Sequence, residues 1–431
     1  MQLNTKSAGG FTLAAKHLAN GASAGILGLA LATALLAQPG QPSYRQLYNF
    51  GAQVGPTALA GAGNTLYGAT QYGGSQGAGS VYALTVPSTN GEPGPYATLY
   101  NFGSSPTDGS VPMGVTIGGF SGGLPVLYGT TYAGGSFGRG TVFCLVPPQT
   151  PGGTWTERIL LSFDGANGGG PEAPLVAVLR TGELPVLYGS TLEGGASGDG
   201  AIFSLTPPAT PGGVWTENVL YSFGSHPADG SFPTEIVIGG GPGGTVLYGF
   251  TAVGGTNENG VVYSLSESGS AWKYEVIYNR PPTSVTSEPN YLTIGGHGVL
   301  YGTEGPAYDV ADSAGDVYSL TPPTSEGGSW TESMVYSFGA VLDDGSNPKG
   351  VLMGSDGNLY GVTAGGGSGG LGTVFALTPP ASSGATWTEH VLYSFPFSGD
   401  TSAPLSLVMS PQGTLYGTTY YGDPTVFEVQ P

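Results

Sequence analysis

The triplet Leu-Tyr-Gly occurs seven times, its tyrosines at Tyr67, Tyr128, Tyr188, Tyr248, Tyr301, Tyr360 and Tyr416, 53 to 61 residues apart. A second motif, Leu-Tyr-(Asn/Ser)-Phe or a close variant, ends at Phe50, Phe102, Phe163, Phe223, Phe338 and Phe395, and Arg280 ends a degenerate seventh copy. A third, an aliphatic residue followed by an aromatic one, recurs from Val81-Tyr82 to Val426-Phe427, again seven times. A chain so built consists of units that bury their apolar faces only against one another, so it must stack or close. After residue 43 no stretch has helical periodicity. Each unit reads as four short strands between Gly/Pro breaks, at about 234–238, 245–251, 260–265 and 272–279 in the copy around Tyr248. In residues 215–223, Trp215, Val219, Tyr221 and Phe223 are expected on one face of the fourth strand.

Units of this size are too long for solenoid coils and too short for sandwich domains. The chain ends select the remaining solution. A lone fourth strand, 44–50, opens the repeat region, and the last unit, 404–429, lacks that strand. The sequence therefore predicts an all-β, seven-bladed β-propeller of four-stranded blades over 44–431, its N-terminal strand closing the last blade and removing open edges.

Gly and Pro together make up more than a quarter of the 431 residues, yet 39% are hydrophobic and only 9% charged, so a core forms. Nine basic residues against 28 acidic ones leave almost no cations for phosphate, which excludes nucleic acid as a main partner. Residues 1–43 contain no acid, carry Lys6 and Lys16, and run apolar from Gly21 to Ala37, with small residues at Ala32, Ala34 and Ala37. They read as a signal peptide over 1–37 and a linker over 38–43, against the alternative of an uncleaved anchor. The expectation is a secreted, periplasmic or cell-surface monomer with no membrane attachment after signal removal.

The segment Leu127 to Leu145, of the form Leu-Tyr-Gly-Thr-Thr-x-x-Gly-Gly-x-x-Gly-x-Gly-Thr-Val-Phe-x-Leu, resembles the GloVer-type tandem repeat of exported choice-of-anchor bacterial proteins. The resemblance covers nearly all of 44–431 and implies an exported repeat protein, with no catalytic residues to carry over. Those relatives end in an anchoring segment and this chain ends on a strand, so release and surface attachment are both expected. Kelch repeats are similar in architecture only.

In up-and-down blades the loops after the second and fourth strands share one face. Phe-Gly-x-x-x-x-Asp-Gly-Ser-x-Pro occurs there in three copies, placing Asp108, Asp229 and Asp344, and a shorter variant places Asp400. Such an Asp either closes its own loop by accepting backbone N–H groups or joins a ring of carboxylates for Ca²⁺ or sugar hydroxyls. On the same face, Tyr72, Tyr132, Tyr420 and Tyr421 begin Gly-rich loops and are candidates for packing or for stacking on carbohydrate rings. The unit around Tyr301 departs from the repeat: Glu304, Asp309, Asp312 and Asp316 stand where other units have mostly glycines, from drift or as a Ca²⁺ site at Asp309, Asp312 and Asp316.

The Glu of Trp-Thr-Glu (Glu157, Glu217, Glu332, Glu389) repeats with the blades, which argues for structure. Cys144 lies within a strand as a buried thiol, and no G-x-S-x-G occurs. No cofactor is required by these residues, Ca²⁺ being the one candidate. The expected function is a non-catalytic binding or scaffold module for extracellular polysaccharide or a similar polymer, with a glycoside hydrolase or lyase and a structural envelope protein as alternatives.

Overall fold

The computed structural model describes residues 42–431 apart from 52–53, 88–93, 151, 211, 242–243, 270, 282–288, 307–313, 326, 383–385 and 397–400. Gly40–Pro431 forms one compact unit. It contains seven four-stranded antiparallel sheets, and in six of them the strands are paired in chain order, a to d. The seventh joins Thr401–Met409, Leu415–Gly422 and Thr425–Gln430 to the N-terminal strand Ser43–Asn49, which pairs with Thr425–Gln430 from Ser43 opposite Gln430 to Asn49 opposite Thr425. The molecule is a seven-bladed β-propeller closed by its first strand.

The repeated motifs interlock neighbouring blades. The Phe ending one blade meets the strand-c aromatic of the next edge-on, as Phe102 with Phe143, Phe163 with Phe203 and Phe338 with Phe375, at 5.0 to 5.2 Å between centroids. Phe50 meets Tyr82 in the same way at 5.3 Å, so the junction between the last and first blades is built like the others. One ring outward, the Leu-Tyr-Gly tyrosine of one blade packs on the strand-d Trp of the next, as Tyr128 on Trp215 at 5.8 Å and Tyr188 on Trp272 at 5.9 Å. Edge-to-face contacts suit the aromatic quadrupole and add to area burial.

The glycine of Leu-Tyr-Gly is required by close approach. A Cβ at Gly189 would lie 2.5 Å from Phe203 Cζ and 2.9 Å from Leu175 Cδ2, within a fully buried cluster. Gly189→Ala is expected to cost about 2–3 kcal/mol by overpacking. Gly61→Ala, where the nearest atom is 4.0 Å away, should cost little. Urea denaturation of the two variants compares them directly.

Strand d corrects one expectation. Its pairing with strand c slips by one residue in all seven blades, for example between the pairs Ile202–Tyr221 and Phe203–Val219. This bulge inserts one residue and reverses the facing of the strand at that point. Val219 is therefore turned outward, 43% exposed, while Phe223 is fully buried. In the closing strand the inserted residue is Leu47, which is buried against Leu59, Leu66 and Tyr82 of the first blade.

Candidate functional site

The d–a and b–c loops meet on one face. Val111 N–H donates to Ala78 O at 2.9 Å, Phe232 N–H to Asp199 O at 2.9 Å and Ala403 N–H to Leu371 O at 3.1 Å, each joining a d–a loop to the preceding blade's b–c loop. Val111, Phe232 and Ala403 hold φ between 54° and 60°, the left-handed region that glycine occupies at the matching positions Gly55 and Gly170. Backbone strain is thus accepted where it aims these N–H groups.

Asp108, Asp229 and Asp344 are buried, and their carboxylates are engaged by their own loops. Asp229 accepts from the Tyr221 hydroxyl at 2.8 Å, from the N–H groups of Ser225 and His226 at 3.1 Å each, and from Ser225 Oγ at 3.1 Å. Asp108 accepts from Tyr100 Oη, Ser104 N–H and Gly109 N–H, and Asp344 from Tyr336 Oη, Gly339 N–H and Gly345 N–H. The strand-d tyrosine and the Asp eight residues later therefore act as one loop-closing device. Asp400 lies outside the described residues.

The tyrosines divide. Tyr132 lies over Gly170 of the next blade, whose added Cβ would sit 3.1 Å from its ring. Tyr420 lies over Gly55, and its hydroxyl is 3.2 Å from Gln71 Oε1. Tyr421 stands perpendicular to Tyr420 at 5.2 Å and is 59% exposed; Tyr72, 49% exposed, is close enough to interact with Tyr420 electrostatically. Three tyrosines from the last and first blades thus gather at the closure junction, a proximity that the separation of 348 positions between Tyr72 and Tyr420 conceals in the sequence.

The irregular fifth blade is internally consistent. Arg280 occupies the place of the buried Phe and is 1% exposed; its Nε donates to Glu304 Oε1 at 3.0 Å and its Nη1 to Asn259 O at 2.7 Å. Glu304 pairs with Asp316 in the ladder, where other blades set Thr131 opposite Thr141 or Thr363 opposite Thr373 with hydroxyls 2.8 to 2.9 Å apart. Burial, and then the Glu304 charge, push the Asp316 carboxyl above its usual range. Asp309 and Asp312 lie outside the described residues, and among the described residues no three His, Cys, Asp or Glu side chains come together as metal ligands.

A model of the Gloeobacter/Verrucomicrobia repeat matches residues 38–246, 159–338 and 241–431. The chain belongs to the Gloeobacter/Verrucomicrobia repeat family. No curated protein matches it. Among solved structures, an ulvan lyase, a polysaccharide lyase bound to -[GlcA(1-4)Rha3S]-, is 12% identical over 89% of this chain and 95% of that one, with a TM-score of 0.54. Puromycin hydrolase is 13% identical over 86% of this chain and 50% of its own, with a TM-score of 0.52. At such identities the likeness is one of fold.

In this Gloeobacter/Verrucomicrobia repeat protein three of the Trp-Thr-Glu carboxylates, Glu157, Glu217 and Glu389, are partly buried, and Glu332 is exposed. Oε1 of Glu157, Glu217 and Glu389 is buried without a hydrogen-bond partner. Burial, reinforced by Asp108, pushes Glu157 up to about 7, and burial and Asp344 raise Glu389. A carboxyl whose pKa is higher folded than unfolded contributes stability that is complete below the unfolded value and lost as pH rises through the folded one. Tm is therefore expected to fall between about pH 5 and pH 8. Self-repulsion of the −19 chain acts in the same direction, so Glu157→Gln, which should flatten the slope, isolates the site term in a pH series of thermal melts. Cys144 is buried and its thiol is pushed up to about 11, chiefly by burial, so it lacks thiolate character.

Proposed function

We propose that this protein is an exported, non-catalytic binding module that presents the tyrosine cluster at its closure junction to an extracellular carbohydrate polymer. The observation that carries this reading is the grouping of exposed Tyr72 and Tyr421 around Tyr420 and Gln71. Aromatic faces beside an amide suit sugar rings, whose C–H faces stack on the ring while their hydroxyls bond the polar group. A rigid ring holds these groups before binding, which lowers the ordering cost. The carbohydrate bound by the ulvan lyase of the same architecture makes this ligand class a reasonable first choice.

The test uses the chain from Gln38 onward on immobilised and soluble polysaccharides, measuring retention together with newly formed sugar ends. Retention without new ends is expected, weakened about tenfold in Tyr72→Ala/Tyr421→Ala, as two lost aromatic contacts would give. Retention unchanged by the double substitution would remove the patch from the site, and new sugar ends would replace the binding module with an enzyme.

A further inference from the structure

The loops after the first and third strands lie at the end of the blades away from the tyrosine cluster. There an open groove of about 470 Å³ runs between the second and third blades, along the outer strand Thr156–Ser162. The buried Tyr128 and Cys144 lie at its floor beside Trp215, and its rim carries Phe120, Leu184 and Val214, with Phe120 65% and Val214 86% exposed. An adjoining groove shares Leu184 and Pro208 with it and carries the apolar surface on past Arg180 and Glu183. Exposed apolar side chains scattered singly need no explanation, but several gathered around one groove mark a binding surface.

The register shows what sets this groove apart. Strands c and d of blade two pair Cys144 with Arg158, which is exposed and lines the groove. At that ladder position four other blades carry Ala97, Asn218, Ser333 and His390. The two that place a full charge there compensate it. Arg45 lies opposite Glu428 and forms an ion pair with it, and Glu275, in the corresponding groove between blades four and five, is bridged by Lys273 at 3.2 Å. Arg158 instead faces a thiol and, among the described residues, enters no ion pair. Glu157, next to it in the chain, turns to the other face of the strand, toward Asp108. Among the described residues no acid lines the groove.

In a chain with nine basic residues against 28 acidic ones, an exposed arginine without a counter-charge on an apolar wall selects its ligand. Its stem lies along apolar surface while the guanidinium fork matches a carboxylate. The same charge balance restricts the occupant. A second copy of this chain, or an anionic bilayer, brings many negative charges against a molecule of net charge −19, whereas a free amphiphile brings one. The groove volume also falls within the range of roughly 300–1,000 Å³ that small-molecule sites occupy.

We propose that the groove between the second and third blades binds a free single-chain anionic amphiphile, its alkyl chain along Phe120, Leu184 and Val214 and its carboxylate at Arg158. This site is separate from the tyrosine cluster and stands or falls independently of it. Decanoate, kept below its micellar concentration, is the probe, and decyltrimethylammonium, with the same chain and the opposite charge, is the comparator. Both are titrated into the chain from Gln38 onward at about 0.15 M salt, which screens the net charge beyond about 8 Å, and followed by NMR.

Decanoate is expected to bind about tenfold more tightly than the cation, the size expected of one charge-assisted hydrogen bond. Arg158→Gln should remove that preference and Arg158→Glu should reverse it. Phe120→Ser/Val214→Ser should weaken both probes about tenfold, through lost apolar contact. Leu342→Ser, at an exposed leucine of a loop in the sixth blade, should leave both unchanged. Circular dichroism and thermal melts establish that the variants fold. Binding of neither probe, a preference that survives Arg158→Gln, binding indifferent to Phe120→Ser/Val214→Ser, or retention on phosphatidylglycerol vesicles without decanoate binding would overturn the proposal.

Discussion

Deleting residues 1–49 is expected to abolish cooperative folding, whereas a chain starting at Gln38 should melt in a single transition. The deletion strips the last blade of its outer strand and leaves Thr425–Gln430 as an open edge. It removes Leu47, which is 2% exposed, and Tyr44, stacked on Tyr393 of the sixth blade at 3.9 Å, and Tyr48, stacked on Tyr96 of the first at 4.3 Å. The Arg45–Glu428 ion pair is lost as well. One buried side chain at about 1.5–3 kcal/mol, together with two half-buried tyrosines and their ring stacking, amounts to a large part of the 5–15 kcal/mol by which a domain is stable. The open edge adds a template for intermolecular pairing. Thermal melts and size-exclusion chromatography read both effects. A soluble monomer with unchanged Tm would mean that blade contacts alone close the ring.

Arg280→Ala should cost about 3–5 kcal/mol, because it empties the place of a fully buried side chain and removes the donor to Glu304 Oε1 and to Asn259 O. Arg280→Phe alone should also destabilise, although Phe is the residue used at this place in Phe223 and Phe338. The combination Arg280→Phe/Glu304→Thr/Asp316→Thr, which rewrites the fifth blade in the pattern of its neighbours, is expected within about 1 kcal/mol of wild type or above it, since buried ion pairs are often replaced by packed apolar groups without loss. Urea denaturation distinguishes these outcomes. A cost below about 1 kcal/mol for Arg280→Ala would show that the pair is not coupled to folding.

The architecture was legible because every marker of a blade is local and repeats. Leu-Tyr-Gly carries the glycine that clears the aromatic ring of strand c, and the residues that interlock neighbouring blades recur at fixed offsets, so periodicity alone announces them. The bulge was hidden. It inserts Leu220 between two residues that the alternation of Trp215, Val219, Tyr221 and Phe223 places in one row, and only pairing with strand c exposes the slip. The two readings of the Asp loops were both open to the sequence; the hydroxyl of Tyr221, reaching Asp229 from eight residues away, gives the carboxylate its partner.

The sequence by itself determined that this chain forms a ring of seven blades closed by its own first strand, because those features follow from short-range patterns and from which strand is missing at which end. Tertiary structure decided what the ring holds. Tyr72 and Tyr420 come within reach of one another only when the circle closes. The departures at Arg280, Glu304 and Asp316 become one compensated cluster only when three strands align. Arg158 and Val214, 56 positions apart in the chain, share a groove because the fourth strand of one blade faces the loop before the fourth strand of the next. The physical reason is common to all three: repetition specifies the contacts that each unit makes in every copy, while a site arises from residues that differ between copies, and their juxtaposition depends on the register and closure of the whole ring.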